Sequence, residues 1–426
     1  MAKRLQFPEG FLWGSATSAH QVEGGNHNSW SVWEKRNAHQ LAKQAKTYWE
    51  PWQKIQFPEM FDPKNYISGT AADHYHLFEK DFDIAKKLGH NSHRFSVEWS
   101  RIEPQEGVFD EKEIEHYRDV LKTLHKQGLK PFVTLWHWTD PLWIAQQGGW
   151  ENKKTVEHFL QYVQKIVESF TGEEIPVWMP LNEPGTFIGM SYIQGAFPPN
   201  IRNLFRANRA YRNLMKAYRE AYRIIHNKHP SALVGISHYA SYMEPYKNKF
   251  FNRLITPILD YVRNWRFLDS VNDTNDFIGI QYYHRDNIDL MFRGGGKWGI
   301  INTKNLHLWI NDLNWDMYPE GIYTLLMRAA KYKKPIYITE NGLPDKSDDK
   351  RALFIKQNLY WIHKAIENGA PVKGYFYWSL LDNFEWDKGF WPRFGLVGID
   401  YKTLKRTIRP SAYEYKRICE ENAVEL

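Results

Sequence analysis

The sequence predicts an α/β protein: a single (β/α)8 TIM barrel over residues 1–426, with long loops at the C-terminal face of its strands. Three observations carry this. Eight short apolar or β-branched runs alternate with longer amphipathic stretches. The runs are apolar at successive positions, as strands buried on both faces of a parallel sheet are. No GxGxxG turn follows the first run, although a doubly wound open sheet would usually bring one.

In chain order, the strand runs are 11–16, 92–97, 130–136, 175–181, 233–238, 277–282, 335–339 and 374–378. The spacing predicts helices over 71–88, 111–127, 153–170, 207–226, 250–268, 319–332, 349–368 and 410–421. The second of these is punctuated by Asp110 as a cap and by Gly128 just past its end. Extra length falls in three connections. Residues 37–68, rich in Trp, Lys, Gln and Pro, read as a loop insertion that covers one face. Residues 239–249 and 286–316, the latter with Gly294-Gly295-Gly296, read as rim loops.

Composition narrows the function. Apolar residues make up 42% of the 426 and charged residues 25%, which excludes a disordered chain, and no run is long enough to cross a membrane. The N-terminus has two early positive charges but no apolar stretch behind them, so no secretory signal is expected. Cys419 is the only cysteine, which excludes an intrachain disulfide and a thiolate zinc site and points to a reducing, cytoplasmic home. The 56 basic and 49 acidic residues give a net +7. With no single basic tract, they read as surface charge, and neither nucleic acid nor membrane is expected as a partner. Aromatic residues reach 16%, with 19 Trp, and sugars stack their C–H faces on such rings. The composition leans toward carbohydrate.

In a barrel of this kind the chemistry sits at the C-terminal ends of the strands. Strand two carries Arg94, strand three ends in His137-Trp138, and strand four ends in Asn182-Glu183-Pro184. Strand six leads into Gln281-Tyr282-Tyr283 and strand seven into Glu340-Asn341-Gly342. Strand eight runs through Trp378 to Asp382-Asn383-Phe384-Glu385-Trp386. Glu183 and Glu340 therefore face each other across the mouth. A lone glutamate there is ordinarily solvated or ion-paired. Paired carboxylates, however, are what glycoside cleavage needs, one protonated to assist the leaving oxygen and one ionised to meet the anomeric carbon. The 17 histidines include no HExxH and no convincing metal spacing, so neither metal nor cofactor is expected.

Several motifs together resemble glycoside hydrolase family 1, the retaining β-glycosidases. They are Phe7-Pro8-Glu9-Gly10-Phe11-Leu12-Trp13-Gly14, Ala19-His20-Gln21-Val22-Glu23-Gly24, the run from Arg94 to Ile102, Asn182-Glu183-Pro184, Ile338-Thr339-Glu340-Asn341-Gly342, Trp378 to Trp386, and Arg393-Phe394-Gly395-Leu396. They run in order from residue 7 to about residue 410. The resemblance implies that Glu183 is the acid/base and Glu340 the nucleophile, with Arg94 and Tyr283 holding Glu340 and lowering its pKa. It implies that Asn182 binds the sugar 2-hydroxyl, that Gln21, His137, Glu385 and Trp386 bind the other hydroxyls, and that Trp378 stacks beneath the ring. Trp138 and Phe394 complete the expected sugar site.

The implied partners are small β-glycosides or oligosaccharides, cleaved from the non-reducing end to release glucose, galactose or fucose. Members acting on 6-phosphorylated sugars usually carry a small hydroxyl residue where this chain has Glu385, so unphosphorylated substrates are expected. The chain departs from the family pattern at Gln281, where Asn is common, at Pro180, and at Thr139-Asp140. Two other readings share these features. One is a non-catalytic sugar-binding barrel, which typically lacks one of the two carboxylates. The other is a transglycosylase that passes the sugar to an acceptor instead of water.

Overall fold

The computed structural model describes residues 4–292, 298–302 and 309–425. Eight parallel strands close into a barrel: β1 (Leu12–Ala16), β2 (Ser92–Ser96), β3 (Lys130–Thr134), β4 (Val177–Met179), β5 (Leu233–Tyr239), β6 (Phe277–Tyr282), β7 (Ile336–Asn341) and β8 (Val372–Trp378). Each strand pairs with its neighbour in sequence order, and β8 closes on β1 through Gly374 beside Leu12. β4 is shorter than the run that predicts it. Pro176 and Pro180 flank it, and neither has an N–H to give to a ladder.

The barrel interior is filled, not hollow. Phe132, Val177, Met179, Phe277, Tyr337 and Phe376 form its buried layer, with Leu12 and Leu233 against it. The main helices around the barrel are α1 (His74–Lys87), α2 (Glu111–Lys126), α3 (Lys153–Ser169), α4 (Leu204–Lys228), α5 (Phe250–Asp260), α6 (Glu320–Ala329), α7 (Arg351–Glu367) and α8 (Pro410–Glu421). α2 shows how sequence sets these helices. The Asp110 carboxylate accepts from the Lys112 and Glu113 amides at its start, and Gly128 follows its end at φ +70°. Its Ile114, Tyr117, Val120, Leu121 and Leu124 recur at helical spacing and are all buried, each burial stabilising by roughly 1.5–3 kcal/mol.

The insertion is helical, not a loop. Ser29–Tyr48 forms a 20-residue helix, followed by Pro51–Gln56 and two 3-10 turns, Pro58–Phe61 and Pro63–Tyr66. Asn28 and Ser31 cap the first helix reciprocally, and Ala38, Ala42 and Ala45 line its buried side. The expected rim loops also hold extended structure. Tyr242–Pro245 pairs with Arg285–Phe292, which pairs in turn with Trp298–Asn302. Gly294-Gly295-Gly296 lies outside the described residues.

Candidate active site

Glu340 lies at the end of β7, in register with Gln281 of β6. The Arg94 guanidinium donates to its Oε1 and the Tyr283 hydroxyl to its Oε2, and all three residues are buried. Arg94 is itself fixed. Its Nε donates to Thr134 Oγ1 at 3.2 Å and its Nη2 to Asn182 Oδ1 at 2.6 Å. The backbone beyond Glu340 approaches β8 closely, since a Cβ on Gly342 would fall on the carbonyl oxygen of Trp378. Only glycine fits there.

Glu183 follows β4. Its amide donates to the Ser237 carbonyl at 2.8 Å, and that of Asn182 to the Trp136 carbonyl at 2.9 Å. Glu183 sits at φ +40°, and two other mouth residues, Trp138 and Trp386, stand at φ +74° and +49°. Side-chain-bearing residues reach this left-handed region at a cost of about 1–3 kcal/mol each, which the surrounding packing must offset. Such strain clusters at functional sites.

The two carboxylates differ electrostatically. Burial, and then the negative Glu340, push the Glu183 carboxyl well above the usual glutamate range. Burial raises Glu340 as well, while Arg94 and Tyr283 pull it back toward the ionised form. This corrects the expectation that Arg94 sets Glu340 below its ordinary value. Desolvation is the larger influence, and the cationic partner limits the rise without reversing it. Glu183, with no such clamp, is the carboxyl that holds its proton to higher pH.

Asn182 joins Arg94, Gln281 and His137 by hydrogen bonds. Its Oδ1 accepts from Arg94 and, at 2.9 Å, from Gln281 Nε2, so its Nδ2 is the donor turned toward His137 Nε2 at 3.1 Å. His137 must accept there and so carries its proton on Nδ1, which is buried and has no protein partner. Burial, with Arg94 nearby, holds this imidazole well below its usual pKa and keeps it neutral.

Aromatic rings and one further carboxylate complete the mouth. His137 stacks at 6.2 Å from Trp378 and 6.1 Å from Trp386, and Trp138 lies 5.0 Å from Trp386. Trp138 donates its indole N–H to the Asn182 carbonyl. Phe394 meets Tyr283 edge-on at 6.3 Å. Gln21 donates to the Asn383 side chain and the Phe384 carbonyl, and reaches Glu385 Oε2 only at 3.4 Å. It braces the loop that presents Glu385. Burial, Asp387 and Glu340 push the Glu385 carboxyl up to about 8.

The expected residues thus form one connected cluster, with Glu183 next to Asn182 in the chain. Thr134 and Trp315 were missed. Thr134 supports Arg94 from β3, and Trp315 packs on both Tyr283 and Phe394. Nothing in the sequence marks Thr134. Trp315 sits within the 286–316 connection already assigned to the rim. Among the described residues, no group of three His, Cys, Asp or Glu side chains is placed to hold a metal ion.

A filled (β/α)8 barrel with two unequal carboxylates at the ends of β4 and β7 defines a barrel glycosidase. The family model "Glycosyl hydrolase family 1" matches residues 3–257 and 263–424. The chain is 30% identical to beta-glucosidase A of Thermotoga maritima, covering 99% of each. It is also 30% identical to a 6-phospho-beta-galactosidase of Staphylococcus haemolyticus, over 98% of this chain and 99% of that one. It superposes on the beta-glycosidase from Pyrococcus horikoshii with a TM-score of 0.87 at 34% identity, covering 99% of this chain and 96% of that one. The chain belongs to glycosyl hydrolase family 1 and is a retaining β-glycosidase, working by double displacement through a covalent glycosyl-enzyme.

Proposed function

We propose that Glu340 is the nucleophile and Glu183 the acid/base of an exo-acting β-glycosidase for small, unphosphorylated β-glucosides, galactosides or fucosides. The unequal setting of the two carboxylates carries the reading, since Arg94 and Tyr283 grip Glu340 while burial keeps Glu183 protonated. In the first step a Glu340 oxygen attacks C1, and the bond from C1 to the aglycone oxygen breaks. Glu183 delivers its proton to that oxygen, leaving an alcohol and an α-glycosyl ester.

The ester no longer carries the charge that raised Glu183, so the ionised Glu183 takes a proton from water. The water oxygen bonds to C1, the ester C–O bond breaks, and the sugar leaves as the β-anomer. Glu183 ends protonated and Glu340 ionised, as they began. Asn182 Nδ2 and the unpartnered His137 Nδ1–H are suited to sugar hydroxyls, and Trp378 to the ring's C–H face.

Glu385 underlies the expectation of unphosphorylated substrate. Even part-ionised, a buried carboxylate near the 6-position repels a phosphate dianion. The relative named a 6-phospho-beta-galactosidase makes this worth testing directly. The assay compares p-nitrophenyl β-glucoside with its 6-phosphate for the wild type and Glu385→Ser. Preference for the unphosphorylated sugar by at least about 100-fold, narrowed by at least about tenfold in the variant, supports the reading. Efficient cleavage of the 6-phosphate by the wild type overturns it. The single buried cysteine, Cys419, supports a reducing, cytoplasmic setting.

A further inference from the structure

We propose that α5 and the neighbouring start of α4 form a surface that docks peripherally on an anionic lipid bilayer. The first observation is that α5 is turned inside out. Its buried residues are the polar Asn252 and Thr256, whereas Phe250, Phe251, Leu254 and Ile258 are exposed, Phe250 at 67% and Ile258 at 58%. Tyr261 and Val262 continue the apolar stripe into the next turn. A surface helix normally buries its apolar stripe and shows its polar one.

The polar face has a structural reason. Asn252 donates to Asp289 at 2.8 Å and accepts from the Leu290 amide at 2.9 Å, tying α5 to the strand Arg285–Phe292. That accounts for Asn252 facing inward but not for what covers the apolar side. The family match breaks off at 258–262, within this stripe. Leu204 and Phe205, at the start of α4, add two more exposed apolar side chains, Phe205 at 88%. The short helix Arg266–Val271, which follows α5 in the chain, meets α4 where Arg266 lies 4.7 Å over the Tyr211 ring.

The second observation is charge. Residues 201–266 hold 13 Lys and Arg against 3 Asp and Glu, an excess larger than the +7 of the whole chain. The rest of the protein is therefore slightly acidic, and the reading that the basic residues gather in no single tract is corrected here. Lys247, Arg253 and Arg266 are exposed close to the apolar stripe in sequence, as are Arg209 and Arg212 on α4, whereas Arg263 is ion-paired with Asp286 at 3.2 Å.

Exposed aromatic and aliphatic side chains bordered by Lys and Arg are the composition of a helix that lies in a lipid interface, its basic residues meeting anionic headgroups. A second copy of the chain is a poorer occupant, because a twofold interface would set this basic surface against itself. No described helix is long and apolar enough to cross a membrane, and lying on one needs no such helix. Since α4 and α5 follow their strands, both begin on the catalytic face, so docking would bring the barrel mouth near the lipid.

The test is co-sedimentation of the purified protein with vesicles of phosphatidylglycerol and phosphatidylcholine, or of phosphatidylcholine alone. Two variants are compared, Phe251→Ser/Leu254→Ser/Ile258→Ser and Lys247→Glu/Arg253→Glu. The wild type is expected on the anionic vesicles at low salt, at least about tenfold more weakly on the neutral ones, and progressively released by salt. Each variant should lose at least about tenfold in binding while hydrolysing p-nitrophenyl glycosides as the wild type does. A wild type that stays in the supernatant overturns the proposal, as does serine-variant binding equal to wild type. Concentration-dependent dimerisation in sedimentation velocity, abolished by the serine variant, overturns it in favour of a second copy.

Discussion

Tyr283→Phe isolates one of the two contacts that hold Glu340. The ring keeps its edge-on packing against Phe394, and only the hydroxyl that donates to Glu340 Oε2 is lost. A hydrogen bond to a buried charged group contributes about 1.5–3 kcal/mol. If that stabilisation serves the ionised nucleophile, kcat/KM should fall by roughly 10- to 150-fold. The pH profile should move as well. Tyr283 lowers the pKa of Glu340, so its removal raises it. The acid limb, which reports ionisation of the nucleophile, shifts to higher pH, while the alkaline limb, which reports loss of the Glu183 proton, stays near its place. The assay is kcat/KM for p-nitrophenyl β-glucoside across about pH 4 to 10, with thermal melting as a check on folding. An acid limb that stays put or moves down refutes the reasoning, whatever happens to the rate.

Glu183→Ala should spare the first step for a dinitrophenyl glycoside, whose leaving group needs little protonation, and slow it greatly for an alkyl glycoside. Equal losses with both leaving groups in pre-steady-state measurements would remove Glu183 from the acid role. Because its folded pKa lies above the unfolded one, Glu183 favours the fold while protonated, and that advantage is lost as pH rises through the raised value. The melting temperature of Glu183→Gln should therefore gain on wild type as pH rises, and a constant difference would contradict the assigned shift. Gln281→Asn shortens the arm that donates to Asn182 at 2.9 Å, at a cost of about 0.5–1.5 kcal/mol, or roughly two- to tenfold in kcat/KM. The loss should shrink for the 2-deoxyglucoside, and an equal loss on both substrates would separate Gln281 from 2-hydroxyl recognition.

The barrel was legible because alternation of apolar runs with amphipathic stretches is a property of the sequence itself. The site was legible because a barrel gathers strand ends, which puts Arg94, Glu183 and Glu340 at one mouth, while the pairing of Arg94 with Glu340 was implied by the resemblance to glycoside hydrolase family 1. Other features needed three dimensions. The 37–68 segment hid its helices because Pro51, Pro58 and Pro63 punctuate it, and its buried face is built from small alanines and not a strong apolar stripe. α5 was legible as a helix, yet periodicity names an apolar stripe without saying which way it faces. The balance between burial and Arg94 at Glu340 depends on desolvation, which no motif encodes.

The central claim is that Glu340 bonds to the sugar. Incubating the enzyme with a 2-deoxy-2-fluoro-β-glucoside bearing a good leaving group slows breakdown of the ester and lets it accumulate, because the fluorine disfavours the charged transition state. Intact-protein mass spectrometry should show one added fluoroglucosyl group, and peptide mapping should place it on Glu340. The same treatment of Glu340→Gln should add nothing. A label on any other residue, or turnover by the wild type that releases α-glucose first, would contradict the account.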